Sequence, residues 1–559
     1  MSVNVRNDPA RSRLTKIDAG YAGPANRRDE ARSTPTSIPR LSRIFIPARP
    51  ILRGRAAAID FALVFAFALA LRLHGLGAKP LWIDEVVTKL RAALPFRKLL
   101  ADSFSHHHLP TYFLLLAQFS PGGNPWLLRL PSAIASALAA AIAVLIGRAL
   151  AGKFEAGRMA GLMSGLMLAG APVMVQFGQD ARPYAMELAC LMLSLWGLVT
   201  LACDEEAAAG PWRRGLGVWS ALLLGMVGAL ALIGDAAPFL LVASLAAWPI
   251  ARGFAGAARR RFVLRWIAGQ AAVLLAVAPL YVAMSLAIEG HYLVAFAWIP
   301  PLGALRAWRV GADVYLLRGA NIASLHLVPT PLAALALAVP PLAAAGWWAL
   351  RRQPAARWVM VLAVVALPVM LILAEPARPL WLPRYLLWSG AAFLILAGVG
   401  AAWLARRWRV AAPVAVAALL LVNLLPFYGA ETAPRWDLAA AALAPALAKG
   451  ADLYMHDHGI PMMLRAYLPG GEKALPDGRV LFHLSQAEAR LRAGVPVIAV
   501  HGPVGQELTT STSEFRDRSD QLGSPAGQTR IGREIVLIRF NPPPAATPGP
   551  LEADVRSNP

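Results

Sequence analysis

Two adjacent carboxylates, Asp84 and Glu85, follow the first long apolar stretch of the chain in the sequence Leu81-Trp82-Ile83-Asp84-Glu85. A charge inside the hydrocarbon of a membrane is costly, so acids at the end of such a stretch usually face water or a polar cavity and have a function. A carboxylate held there can take the proton of an attacking hydroxyl. The alternative is structural: both acids would stabilise the N-terminus of a helix over residues 84–94 through its dipole.

A second carboxylate, Asp180, lies at the end of a later apolar segment and is followed by Arg182. Arg384 precedes another apolar segment. Two carboxylates with arginines nearby suit transfer of a group from a phosphate, because one acid accepts the proton and arginine holds the departing phosphate. The sequence therefore predicts catalytic roles for Asp84, Asp180 and Glu85, and substrate-binding roles for Arg182, Arg384, Tyr385, Tyr184, Trp82 and His108.

Structural alternatives exist for several of these residues. The two arginines would snorkel to the membrane interface, and Trp82, Tyr112 and Tyr184 would be interfacial belt residues. Asp235, between Gly234 and Ala236, is interpreted as a turn former.

A run of three histidines, His106 to His108, offers a possible metal site. Neutral imidazole is a common ligand, and His107 and His108 would act with His291 or His326 of a later loop to hold a divalent metal ion. Consecutive histidines cannot all point one way, however, and no spaced partner such as His-x-x-x-His accompanies them. A polar cluster at the interface remains the alternative.

The composition is that of a polytopic membrane protein. Of 559 residues, 57% are hydrophobic and 15% charged, against roughly 25% charged in average soluble proteins. The formal net charge of +22 does not indicate nucleic-acid binding, because the basic residues form short clusters between apolar segments. The two cysteines, Cys190 and Cys203, share one apolar segment and predict no disulfide framework.

Eleven apolar runs have the length that spans a bilayer. They predict helices, about 11–13 in all, near 56–76, 128–148, 158–177, 184–203, 215–233, 236–252, 264–287, 330–350, 357–374, 384–404 and 410–428. Every second loop is basic, which predicts a cytoplasmic N-terminus and an extracytoplasmic first loop over 77–127. The short run 109–119 is interpreted as a re-entrant or interfacial helix within that loop.

The ends of the chain differ from the apolar region. Residues 1–55 are interpreted as a disordered basic cytoplasmic tail and 541–559 as a disordered Pro-rich tail. Residues 431–540 alternate short strands (451–456, 479–482, 495–501, 534–540) with helices (459–468, 484–493), which predicts a small extracytoplasmic α/β domain with Gly532 at a turn.

Three segments together resemble the start of the GT-C membrane glycosyltransferases: Leu81–Glu85, His108-Leu109-Pro110-Thr111-Tyr112 and Leu128-Arg129-Leu130-Pro131-Ser132. The nearest group is the protein mannosyltransferase-like and lipid A aminoarabinose transferase-like one, with bacterial family-39-type enzymes. Gln179 to Tyr184 and the pair Arg384-Tyr385 also match recurrent segments. The resemblance covers roughly 56–430. It departs at 106–110, where the family usually has an acid before His-Pro-Pro.

The resemblance implies a GT-C transmembrane domain in a bacterial inner membrane. It implies a polyprenyl-phosphate-linked sugar as donor and a glycolipid, polysaccharide, lipopolysaccharide or protein acceptor on the periplasmic face. It also implies that Asp84 is the base or acceptor-orienting group, that Asp180 is the second acid and that transfer inverts the anomeric centre. The alternatives are a multi-pass lipid or glycan transporter or flippase, for which no half-to-half repeat is visible, and a structural subunit that keeps the fold without the activity.

Overall fold

The computed structural model describes residues 55–119, 123–152, 157–287, 299, 301–317, 334–429, 433–504, 512–532 and 534–542. The predictions for the tails 1–54 and 543–559, and for His291 and His326, concern residues outside these ranges. The described chain is mostly helical, with one small sheet near its C-terminus. The predicted fold class, an α-helical polytopic membrane protein with a small C-terminal α/β region, is confirmed.

Nine described helices are long and apolar enough to cross a membrane, or ten when one bent pair counts as a single span. They are α1 (Arg55–Leu73), α5 (Pro125–Ala151), the pair α6 (Gly157–Ala169) and α7 (Pro172–Gly178), α8 (Tyr184–Cys203), α10 (Trp212–Leu232), α11 (Ala237–Arg252, preceded by the 3-10 turn Gly234–Ala236), α12 (Gly256–Ala287), α15 (Pro354–Ala374), α16 (Leu387–Ala405, preceded by the 3-10 turn Pro383–Leu386) and α17 (Ala411–Gly429). This agrees with ten of the eleven predicted runs. The short helix α9 (Glu205–Ala209) lies between α8 and α10.

The eighth predicted run, 330–350, is described from residue 334 as a 3-10 turn, Ala334–Ala338, and the 11-residue helix α14 (Val339–Ala349). The sequence thus predicted 11–13 membrane-spanning helices, whereas nine or ten of the described helices are long and apolar enough to span. At 2.0 and 1.5 Å per residue the turn and α14 extend about 26 Å, close to the roughly 30 Å hydrocarbon core.

The packing of α14 supports a crossing at this position. Ala336, in the 3-10 turn before α14, clusters with Ala312 of α13 (Ala304–Tyr315), whose Tyr315 hydroxyl is 2.8 Å from Ser389 Oγ in the first turn of α16. Ala349 at its end lies beside Ala402, near the other end of α16. The two helices thus run side by side, and Gly400 permits the contact, since a Cβ there would overlap the Leu342 carbonyl oxygen.

The bent pair α6–α7 changes direction by 62° at Gly170 and Ala171. The bend leaves helix-end carbonyls without intrahelical partners inside the bundle. The buried Arg72 guanidinium of α1 supplies donors there: Nη1 donates to Ala169 O (2.5 Å) and Nη2 donates to Leu168 O (3.4 Å). Arg72 of the neighbouring helix α1 therefore stabilises the bend. The segment 179–183 follows α7 at the end of the bundle.

The loop between α1 and α5 folds into three short helices, α2 (Ile83–Ala92), α3 (Phe96–Ser105) and α4 (Thr111–Phe119). α4 corresponds to the short apolar run predicted at 109–119 and, at nine residues, is about 14 Å long. That length is too short to cross a bilayer.

The C-terminal region contains α18 (Trp436–Ala448), α19 (Ile460–Tyr467), α20 (Leu484–Arg492) and α21 (Thr512–Ser519) around a five-stranded sheet. The strands are β1 (Asp452–Tyr454), β2 (Val480–Leu481), β3 (Val497–His501), β4 (Gly527–Ile531) and β5 (Ile535–Phe540), in the order β2-β1-β3-β5-β4. β1 is parallel to β2 and β3, and β5 is antiparallel to β3 and β4. Four strands were predicted; β4 was missed because it is a polar edge strand with no buried residue.

The C-terminal region packs directly on the loop that carries Asp84. Leu81 and Val86 share a buried cluster with Trp436, Ile460 and Met463. The Tyr467 hydroxyl accepts a hydrogen bond from the Leu81 backbone N–H and donates to the Leu81 carbonyl at 3.3 Å. The C-terminal region is thus part of the support for the first loop.

Candidate active site

Asp84 lies in the first turn of α2, and 27% of its side chain is accessible. We call the surroundings of Asp84, Arg182 and Arg384 the recess. Asp84 Oδ2 is 3.1 Å from Arg384 Nη1 and 3.7 Å from Arg182 Nε. Burial disfavours ionisation of this carboxyl, but Arg182 and Arg384 outweigh burial and lower its pKa. Asp84 is therefore a solvent-reachable carboxylate held between two guanidinium groups.

Asp84, Arg182 and Arg384 come from three separate segments of the chain and lie close together. Arg182 follows α7 in the short connection to α8, and Arg384 lies in the 3-10 turn that opens into α16. Both side chains are nearly buried, at 7% and 5% exposure, and both face Asp84. This arrangement does not fit the alternative that the arginines snorkel to the membrane surface.

Aromatic side chains surround Arg384. Its guanidinium carbon lies 5.7 Å from the ring centroids of Trp82 and Tyr184 and 6.0 Å from that of Tyr385, and Nη1 donates to the Tyr184 hydroxyl at 3.1 Å. Aromatic faces at this distance stabilise a cation. Trp82 is only 5% exposed, so it contributes to the recess and is not an interfacial anchor.

Glu85 has a different environment from its neighbour Asp84. It has no exposed surface, and its two oxygens accept hydrogen bonds from Arg129 Nε (2.7 Å) and Nη2 (2.6 Å). The Ala181 backbone N–H also donates to Glu85, at 2.8 Å, and the Trp82 N–H donates at 3.4 Å. The predicted capping role therefore fits Glu85, which ties α2 to α5 and to the segment before Arg182.

Asp180 lies beside this ion pair, next to Lys79. Burial and the Glu85 carboxylate raise the pKa of Asp180 to about 8, against the opposing charges of Arg129 and Lys79. Burial likewise lowers the pKa of Lys79 to about 8. Lys79 Nζ donates to Gln179 Oε1 (3.0 Å) and lies 4.6 Å from the Phe427 ring centroid. Asp180 thus holds its proton near neutral pH, whereas Asp84 is ionised.

Replacement of Asp180 by Asn should raise thermal stability more at pH 7.5 than at pH 5. Because the folded-state pKa is raised, the folded protein binds more protons than the unfolded chain, and stability falls as pH rises from about 4 to about 8. Asn cannot ionise and removes this loss. The unfolding midpoint of the purified protein in detergent, measured at both pH values, checks the sign; an equal shift at both would contradict it.

The structure brings His108, but not a metal-binding cluster, to the recess. Burial, with Arg182 and Arg91 nearby, lowers the pKa of His108 to about 3, so its imidazole is neutral beside Asp84. Within the described part of the chain, no three His, Cys, Asp or Glu side chains form a group that could hold a metal ion. His107, with a φ of 60°, is in the left-handed region, and His291 lies outside the described residues.

Sequence reasoning missed two carboxyls in this region. Asp235 was interpreted as a turn former, and it does lie in the 3-10 turn before α11. Its carboxylate, however, interacts electrostatically with Arg384, Arg378 and Arg182. Glu187, one turn into α8 and 5% exposed, interacts in turn with Asp235. The acidic residue in an otherwise apolar helix was the signal in the sequence for Glu187.

No family model and no curated protein matches the chain by sequence. Solved structures do match. ArnT from Cupriavidus metallidurans in the apo state has a TM-score of 0.53 at 18% identity, over 86% of this chain and 98% of that one. The same protein bound to undecaprenyl phosphate has a TM-score of 0.52 at 17% identity, over 87% and 98%.

A more distant match is the Archaeoglobus fulgidus oligosaccharyltransferase in complex with Zn and sulfate. Its TM-score is 0.50 at 12% identity, over 79% of this chain and 67% of that one. At such identities the comparison concerns the fold alone. This chain is a multi-pass membrane protein with the GT-C fold.

Proposed function

We propose that this protein is a glycosyltransferase that moves a sugar from a polyprenyl-phosphate-linked donor to an acceptor hydroxyl. The observation that carries the proposal is the accessible Asp84 carboxylate between Arg182 and Arg384. A carboxylate and two guanidinium groups at one point supply both a proton acceptor and an anion site. These are the two functions that transfer from a phosphate ester requires.

In the proposed reaction the acceptor oxygen attacks the anomeric carbon of the sugar. The bond between that carbon and the phosphate oxygen breaks, and its electron pair stays on the phosphate. The acceptor proton passes to Asp84, so the products are the glycosylated acceptor, the polyprenyl phosphate and a protonated carboxyl. A single displacement of this kind inverts the anomeric centre. The sugar transferred is a hexose or a pentose.

The two arginines link donor binding to the basicity of Asp84. Without donor they pair with the carboxylate and lower its pKa, which weakens it as a base. A phosphate that binds the same guanidinium groups competes for their hydrogen bonds and adds negative charge, so it makes Asp84 more basic. The base becomes effective when the leaving group is in position, where arginine also stabilises the charge that develops on the phosphate.

The remaining predicted residues have supporting roles in the proposal. Glu85, fully buried with Arg129, positions α2 and is not itself a base. Asp180, which is protonated near neutral pH, and Lys79 determine the net charge of the region beside the Glu85–Arg129 ion pair. Neutral His108 orients the acceptor beside Asp84, and Trp82, Tyr184 and Tyr385 hold the guanidinium of Arg384.

The neighbours support the choice of donor, since the ArnT structure was obtained with undecaprenyl phosphate bound. We assign the protein to a bacterial inner membrane, with a cytoplasmic N-terminus and a periplasmic C-terminal region. This orientation is inferred from the basic loops, because loops rich in Lys and Arg usually lie on the cytoplasmic side. The acceptor is then a periplasmic glycolipid, lipopolysaccharide, polysaccharide or protein.

The proposal assigns no step to a metal ion. Two arginines face Asp84, and Arg182 and Arg91 lie near His108. Their positive charge opposes a divalent cation at these ligands.

Transfer in detergent solution tests the proposal against a flippase. The purified protein is mixed with a polyprenyl-phosphate sugar extracted from its host and with the host's delipidated or lipid-linked glycans. A transferase forms the glycosylated acceptor and free polyprenyl phosphate without any membrane to cross, whereas a flippase forms no product. Cells that lack the protein should accumulate the lipid-linked sugar and lose one glycan decoration.

Product in detergent together with the missing decoration would support the transferase. A missing decoration without any product in detergent would favour transport and contradict the proposal.

A further inference from the structure

An apolar cavity of about 540 Å³ lies between α14, α16 and α17. Its walls are side chains of α14 with its preceding turn and of α17, among them Leu335, Ala338, Leu342, Ala411, Ala415 and Leu419. None of the described side chains that line it carries a charge. Ligand cavities in proteins usually measure roughly 300–1,000 Å³, so this one is large enough to hold part of an apolar ligand.

One end of the cavity lies far from the recess. Trp408 lines the cavity just beyond the C-terminal end of α16, whereas Arg384 of the recess precedes the N-terminal end of the same helix. α16 has 19 residues and is therefore about 28 Å long. The Trp408 end of the cavity and the recess thus lie near opposite faces of the membrane. A phosphate held by Arg182 and Arg384 cannot also lie at the Trp408 end.

The cavity separates α17 from α14, which packs directly on α16. A Cβ at Gly346 would overlap the Leu396 carbonyl oxygen, so the backbones of α14 and α16 are in contact there. On α17, Leu419 packs into the core of the bundle, while the small side chains of Ala411 and Ala415 line the cavity. An unfilled cavity loses the dispersion contacts of its lining, and a hydrocarbon chain would restore them.

Five exposed arginines lie near the Trp408 end of the cavity. They are Arg351, Arg352, Arg406, Arg407 and Arg409. The first two follow Ala349, which lies beside Ala402 and Arg406. Within the part of the chain that the structure describes, none of the five guanidinium groups pairs with a carboxylate. Arginine stays protonated, so an apolar cavity adjoins a concentrated positive charge without a counter-ion from the chain.

We propose that the cavity binds an anionic phospholipid, with one acyl chain between α14 and α17 and the phosphate beside Arg406, Arg407 and Arg409. Basic pockets between membrane helices recognise anionic head groups in this way. Trp408, 55% exposed, lies where indole rings usually meet the head groups. The acyl chain would hold the short helix α14 against α17. This site is distinct from the recess and does not depend on the proposed transferase reaction.

Lipid binding to the purified full chain, stripped of lipid in detergent, tests the proposal. Native mass spectrometry counts bound phosphatidylglycerol and phosphatidylcholine with the same acyl chains, and thermal unfolding measures their effect on Tm. We expect phosphatidylglycerol to bind about 10- to 30-fold more tightly, since two or more basic residues near an anionic head group contribute this much. It should also raise Tm more. Glycerol phosphate, which has no acyl chain, should not compete.

Two pairs of variants separate the acyl chain from the head group. Ala415→Trp fills the cavity and should weaken binding of both phospholipids at least about 10-fold, because excluding even two CH₂ groups has this effect. Val414→Trp is its control, since Val414 is 58% exposed and does not line the cavity. Arg407→Gln with Arg409→Gln should abolish the preference for phosphatidylglycerol. Arg259→Gln with Arg260→Gln, the same charge change at the start of α12, should preserve it.

Equal binding of the two phospholipids by the unmodified protein would overturn the proposal, as would equal effects of Ala415→Trp and Val414→Trp. Two other occupants have their own signatures, and either would replace the phospholipid. Loss of undecaprenyl phosphate binding in Ala415→Trp, with phosphatidylglycerol binding unchanged, would assign the cavity to a polyprenyl chain. Conversion of a dimer to a monomer by Ala415→Trp, without an effect on lipid, would assign it to a second copy of this chain.

Discussion

Asp84→Asn is expected to lower kcat for sugar transfer about 100- to 10,000-fold, the range that a positioned general base contributes. Asparagine keeps the shape of the side chain but cannot take the acceptor proton. It also releases Arg182 and Arg384 from their carboxylate partner. The donor phosphate no longer competes with Asp84 for these guanidinium groups, so binding of undecaprenyl phosphate should be as tight as before or tighter.

This separation of kcat from binding distinguishes a base from a residue that only shapes the site. A collapsed site would lose both properties. The matched control is Glu206→Gln, an exposed acid that pairs with an arginine, Arg214, beyond the opposite end of α8 from Tyr184. It should transfer sugar at nearly the unmodified rate. Activity of Asp84→Asn within about threefold of the unmodified protein would be incompatible with the proposed base.

The sequence was informative about the membrane helices because their signal is local. Runs of about twenty apolar residues need no tertiary information, and ten of eleven agree with described spans. The exception, 330–350, depends on packing: α14 is short, and its contact with α16 requires Gly400. Edge strand β4 was missed for the opposite reason, since an exposed polar strand has no hydrophobic pattern.

The candidate site was partly predictable. Charged residues at the ends of apolar segments indicated Asp84, Arg182 and Arg384, and these do meet. The sequence could not show that Asp84 is accessible whereas Glu85 is buried in an ion pair. That difference depends on Arg129, 44 residues after Glu85 in the chain. The sequence could not predict the interaction of Asp235 with Arg384 either. A Gly-Asp pair is sufficiently explained as a turn, and only the fold brings Asp235 near Arg384.

Glu85→Gln should destabilise the folded protein by about 3–5 kcal/mol, the usual cost of removing one partner from a buried ion pair. Arg129 is 2% exposed and would keep its charge without a carboxylate. The loss also concerns the site, because Glu85 accepts hydrogen bonds from the Ala181 and Trp82 N–H groups and Arg129 donates to the carbonyls of Lys79 and Pro80. One ion pair thus fixes both segments that flank the recess.

Reversible unfolding in mixed detergent measures this free energy, and a double-mutant cycle with Arg129→Met isolates the pair. The double variant should lose less stability than the sum of the single variants, since it leaves no unpaired buried charge. Arg435→Met, which breaks a half-exposed pair with Asp437, should cost less than about 1 kcal/mol. Additive losses across the cycle would mean that Glu85 and Arg129 are stabilised independently, and the anchoring role of the pair would be wrong.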